Sequence, residues 1–246
     1  PMMITLVLSS NMKKMLKDNV LVRKLVGIET AGSLNVLLTD KTGTLTKGIL
    51  KVTEFVTPDN KVFKDVSEVK KCKNYEVMYK SFYYNNASII SDTGIIGGNS
   101  TDRALMSFIG SDKNIKDKVI KKEPFDSKYK YSSVTLSNGI TYYKGALEVI
   151  MPKCKKYLNS FGSEVSLVNK SVILKKINMY TKASGRVLVF AYGECFDELT
   201  LLGFVNIKDE LRDEAKEGIR LIKSAGIKPI MITGDAMDTA TSIARE

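Results

Sequence analysis

Asp40, Lys41 and Thr42 open a heptapeptide, residues 40–46, that could accept a phosphoryl group. The apolar run of residues 34–39 before it is typical of a buried strand, so Asp40 would end that strand. Open α/β sheets place their reacting groups at the carboxyl ends of strands. A carboxylate there can form an acyl phosphate, while Lys41 and nearby hydroxyl and N–H groups hold phosphate oxygens. The plain alternative is a strand that ends in a solvated Asp–Lys pair.

A second junction of this kind lies near the end of the sequence. The apolar residues 230–233 predict another buried strand, and Gly234 and Asp235 follow it. Because parallel strands bring their carboxyl ends to one edge of a sheet, Thr233 and Asp40 are expected to face the same crevice. The alternative is an ordinary strand–turn–helix start in which Asp235 caps the helix.

The stretch between these junctions has α+β character. An Asn138-Gly139 turn predicts a hairpin between residues 134–136 and 140–143. Further strands are predicted at residues 50–56, 61–66, 186–192 and 199–207. Residues 94–99 are predicted as a loop, and helices are predicted at residues 67–85, 101–109 with Ser100 as the cap, 146–154, 166–183, 209–224 and 236–245.

Composition excludes several classes of chemistry. The sequence of 246 residues is 43% hydrophobic and 26% charged, which is typical of a globular protein. It contains no histidine, so His-based triads, His metal sites and His general bases are excluded. The three cysteines are far apart and predict reduced thiols. The net charge of +11 comes from scattered lysines, with no recognition helix or zinc pattern, so no nucleic-acid partner is expected.

The heptapeptide resembles the phosphorylation motif of the P-type cation-transporting ATPases. Thr233-Gly234-Asp235 resembles the Thr-Gly-Asp of that family, which holds phosphate oxygens. The resemblance therefore implies a set of catalytic residues made of Asp40, Lys41, Thr42, Thr233, Gly234 and Asp235.

Four segments resemble the family's nucleotide-binding and hinge elements. Residues 124–134 resemble the segment whose Phe stacks on adenine, and residues 101–105 resemble a Pro-Thr-Glu-x-Ala-Leu element in which Asp102 replaces Glu. Residues 144–146 match Lys-Gly-Ala, and residues 209–212 resemble Asp-Pro-x-Arg with Glu in place of proline. Arg186 also matches a phosphate-binding Arg. The nucleotide-binding residues that the resemblance implies are Asp102, Phe125, Lys130, Lys144, Gly145, Arg186, Asp209 and Arg212.

Three of these residues also have a simpler interpretation when each is considered alone. Phe125 would more often belong to a core, and Lys144 would be a surface lysine in a turn. Arg186 would be a charge at a strand end. Ser127 departs from a basic residue that is common in animal calcium pumps, so a phosphate contact there is not expected.

The resemblance implies an α/β fold with two domains. A partial haloacid-dehalogenase-like, Rossmann-like phosphorylation domain would be interrupted by an inserted α+β nucleotide-binding domain with an antiparallel sheet. Residues 1–23 would be the end of the fourth transmembrane helix and the stalk, residues 24–48 and 208–246 the two parts of the phosphorylation domain, and residues 49–207 the insertion.

The function implied by the resemblance is ATP-driven cation transport through an aspartyl phosphate. ATP and Mg²⁺ would be the cofactors, with Asp40 and Thr42 as metal ligands, and Ca²⁺ is the first expectation for the transported cation. The chain would lie on the cytoplasmic side of a multi-pass membrane protein and be soluble as a fragment. Because the sequence lacks the family's Gly-Asp-Gly-x-Asn-Asp motif, the fragment alone is expected to be inactive.

Two other functions remain open at this stage. Soluble haloacid-dehalogenase-type phosphatases share the fold, but they carry Asp-x-Asp, and Thr42 occupies the position of their second Asp. A non-catalytic nucleotide-binding module is the other alternative, since the later family elements are absent from this sequence.

Overall fold

The computed structural model describes residues 2–24, 26–168, 170–182, 185–234 and 237–245. The chain divides into two compact units. The first unit comprises residues 1–45 and 212–232, and the second unit comprises residues 46–211 and 233–246.

Both units contain helices and strands. The helices are α1 (Met2–Lys17), α2 (Val26–Gly32), α3 (Val66–Lys70), α4 (Tyr75–Tyr83), α5 (Ser100–Ile109), α6 (Leu147–Lys153), α7 (Ser171–Lys182), α8 (Ala215–Ser224) and α9 (Met237–Arg245). The strands are β1 (Val36–Asp40), β2 (Thr46–Val56), β3 (Val62–Phe63), β4 (Ser88–Ser91), β5 (Gly94–Gly97), β6 (Val119–Asp126), β7 (Tyr131–Leu136), β8 (Thr141–Gly145), β9 (Cys154–Leu158), β10 (Glu164–Ser166), β11 (Arg186–Gly193), β12 (Leu199–Leu211) and β13 (Lys228–Ile232).

The second unit is built on a large, mainly antiparallel sheet. Its strands follow the order β10-β9-β12-β11-β8-β7-β6, and β2 pairs with β12 and β3. Strands β9 and β12 run parallel to each other, whereas β12 is antiparallel to both β11 and β2. The mixed α/β architecture with an antiparallel sheet that the sequence implied is therefore present.

Strand β12 changes neighbours at Gly203. Its first residues pair with β9, and the residues from Phe204 onward pair with β2. Gly203 has a φ of 138°, and a Cβ atom there would lie 2.2 Å from the carbonyl oxygen of Val56. Only glycine fits this close approach of two strands.

Helices cover both faces of this sheet. Along β11, Phe190 lies in a core with α4 and α5, whereas its neighbours Val189 and Ala191 lie in a second core with α6 and α7. Successive side chains of a strand point to opposite faces, so one apolar strand supplies both cores. This explains why residues 186–192 form an almost continuous apolar run.

The first unit contains a parallel pair of strands, β1 and β13, whose register places Asp40 opposite Ile232. The prediction that both strands are buried is wrong. Leu38 is 60% exposed and Ile232 is 55% exposed, and Thr39 is the buried residue of β1. The described residues form a sheet of only two strands here, so no third strand flanks β1 or β13 and the sheet buries little apolar surface.

Several predicted boundaries also differ from the structure. The predicted helix at residues 67–85 is divided into α3 and α4, and the predicted loop at residues 94–99 contains β5, which pairs with β4. The strand predicted at residues 50–56 begins earlier, since β2 starts at Thr46. In each case pairing or packing with distant residues outweighed the local pattern.

One predicted turn agrees with the structure, whereas a predicted helix cap and a predicted helix start do not. The hairpin of β7 and β8 is confirmed, with the predicted Asn138-Gly139 turn. Asn99 caps α5 in place of the predicted Ser100, because its side-chain oxygen accepts the N–H of Asp102. Strand β12 continues to Leu211, so the helix predicted from Asp209 begins only at Ala215.

Helix α1 is the first apolar segment of the chain, and several of its large side chains are exposed, among them Met2 at 79%. Throughout the described ranges, helices that could cross a bilayer, being both long enough and apolar enough, are not found.

We expect Phe82→Ala to lower the free energy of unfolding by about 3–5 kcal/mol, since it opens a cavity in the core between β2 and α4. Phe82 is fully buried, and its ring centroid lies 5.3 Å from that of Phe55 and 4.3 Å from that of Phe190. Urea unfolding followed by circular dichroism measures the change. Phe161→Ala is the control, because Phe161 is 74% exposed, and equal effects of the two substitutions would contradict this account of the core.

Candidate functional site

A cavity of about 230 Å³ opens in the second unit beside strands β6, β7 and β8. Helix α5 contributes Asp102 to its lining, β6 contributes Lys122 and Phe125, and β8 contributes Lys144. The structure thus brings together three of the nucleotide-binding residues that the sequence implied, Asp102, Phe125 and Lys144.

Lys144 and Asp102 form a buried ion pair at the base of this cavity. Each residue is 5% exposed, and the Lys144 ammonium donates to Asp102 Oδ1. Burial lowers the pKa of Lys144, and the neighbouring Asp102 carboxylate opposes that effect. The alternative interpretation of Lys144 as a surface lysine in a turn is wrong, because Lys144 lies within β8.

Two asparagines that sequence reasoning missed fix the walls of the cavity. The Asn85 side-chain amide donates to the carbonyl oxygens of Ser132, at 3.2 Å, and of Tyr142, at 3.1 Å, and thereby joins β7 to β8. The Asn86 amide donates to the carbonyl oxygen of Asp102 at 2.9 Å. A polar Asn-Asn pair directly after the amphipathic helix α4 was the available signal, since buried amides are retained where they satisfy backbone groups.

Phe125 lies at the rim of the cavity, near the end of β6. Phe125 is 53% exposed, so the interpretation of Phe125 as a core residue is wrong. It also lines a neighbouring cavity of about 560 Å³, together with Tyr129 and Tyr131. An exposed aromatic face beside a cavity can stack on a flat heterocycle.

Lys130 and Gly145 shape the strands next to the cavity. Lys130 has a φ of 57°, and its ammonium pairs with Glu148 at 3.0 Å instead of lining the cavity. A Cβ atom at Gly145 would lie 2.6 Å from Cβ of Tyr131, so glycine permits the close pairing of β7 and β8.

Arg186 stands at the start of β11 with an exposed side chain. Its guanidinium donates to Thr101 Oγ1 at 3.3 Å, and Thr101 directly precedes Asp102 in α5. This contact brings a second cation to the helix that carries Asp102.

In the first unit, Asp40 ends β1 with an exposed carboxylate. The backbone N–H of Lys41 donates to Asp40 Oδ1 at 2.8 Å. The loop that follows turns at Gly43, which has a φ of 76°. The Arg212 guanidinium donates to the Gly43 carbonyl oxygen at 3.0 Å, so Arg212 supports the backbone of this loop.

The remaining residues of the predicted site are Asp209, Thr233, Gly234 and Asp235. The Thr46 hydroxyl donates to Asp209 Oδ2 at 2.6 Å, and Asp209 Oδ1 is buried without a hydrogen-bond partner. Thr233 and Gly234 follow the last residue of β13 in the chain. Asp235 lies outside the described residues.

The chemical groups of the predicted site fit ATP and Mg²⁺, the cofactors that the family resemblance implies. An exposed aromatic ring beside buried and half-buried ammonium groups suits a purine nucleotide. For Mg²⁺, the exposed Asp40 carboxylate and the Thr42 carbonyl offer the oxygen ligands that this cation prefers. Among the described residues no cluster of three or more acidic, Cys or His side chains could hold a metal ion.

We expect Asp102→Ala to lower the free energy of unfolding by about 3–5 kcal/mol, because the buried Lys144 ammonium loses its counter-charge. The double variant Asp102→Ala, Lys144→Met should recover most of this loss, since it removes both charges. Urea unfolding measures both variants, with the exposed Asp92→Ala as a control. A double variant no more stable than Asp102→Ala alone would show that the ion pair does not govern this loss.

Comparisons with known proteins agree with the motifs. Residues 74–214, more than half of the chain, match the family model of the P-type ATPase cytoplasmic domain N. The whole chain is 33% identical to calcium-transporting ATPase 7, plasma membrane-type, of Oryza sativa subsp. japonica, and covers 27% of it. It is 31% identical to calcium-transporting ATPase 1 of Bacillus cereus, of which it covers 30%, and 34% identical to calcium-transporting ATPase PAT1 of Dictyostelium discoideum, of which it covers 24%. The chain therefore belongs to the P-type cation-transporting ATPases and is similar to their calcium-transporting branch.

Proposed function

We propose that this chain supplies the nucleotide-binding and phosphorylated portion of an ATP-driven calcium pump. The chain spans between 24% and 30% of the length of the three relatives described above. Those relatives are named as calcium-transporting ATPases, which supports Ca²⁺ as the transported ion. The complete protein would lie in a membrane, with this portion on its cytoplasmic side.

The proposal divides the chain as the family resemblance implies. Residues 24–48 and 208–246 belong to a haloacid-dehalogenase-like phosphorylation domain, and residues 49–207 form the inserted nucleotide-binding domain. Residues 1–23 belong to the end of a transmembrane helix and its stalk. The parallel pairing of β1 with β13 supports the first assignment, because Asp40 ends β1 as reacting groups do in open α/β sheets.

The observation that carries the nucleotide-binding role is the combination of the buried Lys144–Asp102 pair with the exposed ring of Phe125 at one cavity. Phe125 stacks on the adenine, and Lys144 donates to the nucleotide from the base of the cavity. As the family resemblance implies, Arg186 meets the phosphates and Lys130 lies near the adenine.

The phosphoryl acceptor is the Asp40 carboxylate. One of its oxygens forms a bond to the γ-phosphorus of ATP as the bond from that phosphorus to the β–γ bridging oxygen breaks, and ADP leaves. Lys41, Thr42, Thr233 and Gly234 offer cationic, hydroxyl and N–H groups to the phosphoryl oxygens. Bound Mg²⁺ neutralises phosphate charge in such reactions.

The side chain at position 42 favours a persistent acyl phosphate. Soluble phosphatases of this fold use a second Asp there to activate water, whereas Thr42 has no carboxylate and is not a strong general base. Slow hydrolysis of the aspartyl phosphate suits a pump, in which the phosphoenzyme must last long enough to drive a conformational change. In the complete pump, this conformational change would extend through the second unit to the membrane segments.

We expect Phe125→Ala to weaken ATP binding by about 1–3 kcal/mol, because the stacking face is lost while the fold is retained. Isothermal titration calorimetry of the 246-residue chain with ATP measures the effect. Phe161→Ala is the matched control, since it removes an exposed ring outside the cavity. Equal ATP affinity of Phe125→Ala and the unaltered chain would exclude this base site.

For the complete protein, we expect labelling by [γ-³²P]ATP to yield an acid-stable phosphoenzyme that hydroxylamine cleaves, as acyl phosphates are cleaved. Asp40→Asn should abolish the label, because an amide is not a nucleophile for phosphorus. Asp18→Asn, an exposed substitution in the same unit, should retain it. Undiminished label in Asp40→Asn would show that another residue is phosphorylated.

A further inference from the structure

Lys122 is a second lysine of the cavity, and neither the sequence motifs nor the family resemblance assigned it a role. It lies in β6, three residues before Phe125. Although the residue as a whole is exposed, its ammonium reaches the cavity wall and donates to the carbonyl oxygen of Asn86 at 2.6 Å. Lys122 therefore lines the same cavity as the exposed ring of Phe125 and the buried ion pair.

The cavity is lined by two ammonium groups, those of Lys122 and Lys144. Burial lowers the pKa of Lys122, and Asp102 partly opposes this effect. Burial is also the main cause that lowers the pKa of Lys144, and the charge of Lys122 lowers it further. The Lys144 ammonium donates to Asp102 Oδ1, whereas Lys122 donates to the Asn86 carbonyl oxygen and is influenced by the Asp102 charge without pairing with it. Since an ammonium carries three N–H groups, Lys122 can also donate to a ligand.

The neighbouring Lys121 provides an internal comparison. Its ammonium pairs with Glu123 at 2.7 Å, and its side chain is 69% exposed. It is not among the residues that line the cavity. The two adjacent lysines of β6 therefore differ in position but not in chemistry.

We propose that Lys122 determines base specificity by donating a hydrogen bond to a ring-nitrogen acceptor of a purine stacked on Phe125. This inference rests on the proposed nucleotide-binding function and extends it to one residue and one edge of the base. An ammonium donor at this point favours a heterocycle that presents an unprotonated ring nitrogen. Asp102 retains capacity to accept from an exocyclic amine, because its Oδ2 receives only a long contact of 3.4 Å from the Ala87 N–H.

The test compares ligands and variants in one matrix. The affinities of ATP, 1-deaza-ATP, 3-deaza-ATP and 7-deaza-ATP are measured by calorimetry for the unaltered chain and for Lys122→Met, Lys122→Arg, Lys121→Met and Phe125→Ala. Lys122→Met should weaken ATP binding by about 10-fold to 100-fold, as expected for loss of a charged hydrogen bond. The loss of affinity caused by Lys122→Met should disappear with the one deaza analogue that lacks the acceptor nitrogen. Lys121→Met should leave ATP affinity unchanged, and Lys122→Arg should retain most of it.

The ligand series separates a base contact from a structural role. A merely structural Lys122 would weaken all four ligands equally, and that result would overturn the proposal even if Lys122→Met were less stable. Normal ATP affinity in Lys122→Met, together with weakened binding in Phe125→Ala, would overturn this inference and leave the nucleotide site intact. Unchanged affinity in Phe125→Ala would overturn both.

Discussion

Strands β11 and β12 carry apolar side chains on both faces, and this constraint organises the second unit. Val189 and Phe190 are neighbours in sequence but belong to different cores. Such strands are stable only when both faces are removed from water, so α4 and α5 cover one face and α6 and α7 cover the other. The polar side chains of the adjoining strands must then form hydrogen bonds or ion pairs inside the protein or at a cavity.

Lys144 illustrates this consequence. It lies on β8, which pairs with β11, so its ammonium is buried along with the sheet. Burying a charge is costly unless a counter-charge and hydrogen bonds accompany it. Asp102 supplies the counter-charge from α5, whose position is fixed because Leu105 and Ile109 are buried in the core. The pair is thus held in place before any ligand arrives, which is the property of a preorganised binding site.

The end of β1 in the first unit follows a different principle. The Asp40 carboxylate, which we propose as the phosphoryl acceptor, must be accessible to act as one, and Asp40 is exposed while the loop after it is fixed by backbone contacts. The Arg212 guanidinium holds the Gly43 carbonyl, and the Arg212 N–H donates to the Leu45 carbonyl at 2.9 Å. The residue that the family resemblance assigned to nucleotide binding therefore has a structural contact in this loop as well.

The sequence by itself determined the family and a local turn. The heptapeptide at Asp40, with the ordered motifs after it, was sufficient to indicate the family, because residue identity and order do not depend on packing. The Asn138-Gly139 hairpin was equally predictable, since a turn that requires positive φ is encoded locally. The end of β12 was not predictable from the sequence, because its pairing with the distant strand β2 decides it.

Only the tertiary structure decided which side chains share the cavity. Asp102 and Lys144 are 42 positions apart, and Lys122 meets Asn86 across 36 positions. No periodic pattern relates residues at such separations, so burial of Lys144, exposure of Phe125 and the presence of Lys122 beside them could not be derived from the sequence. The exposure of β1 has the same origin: an apolar strand is buried only when other elements cover it, and its own residues do not specify them.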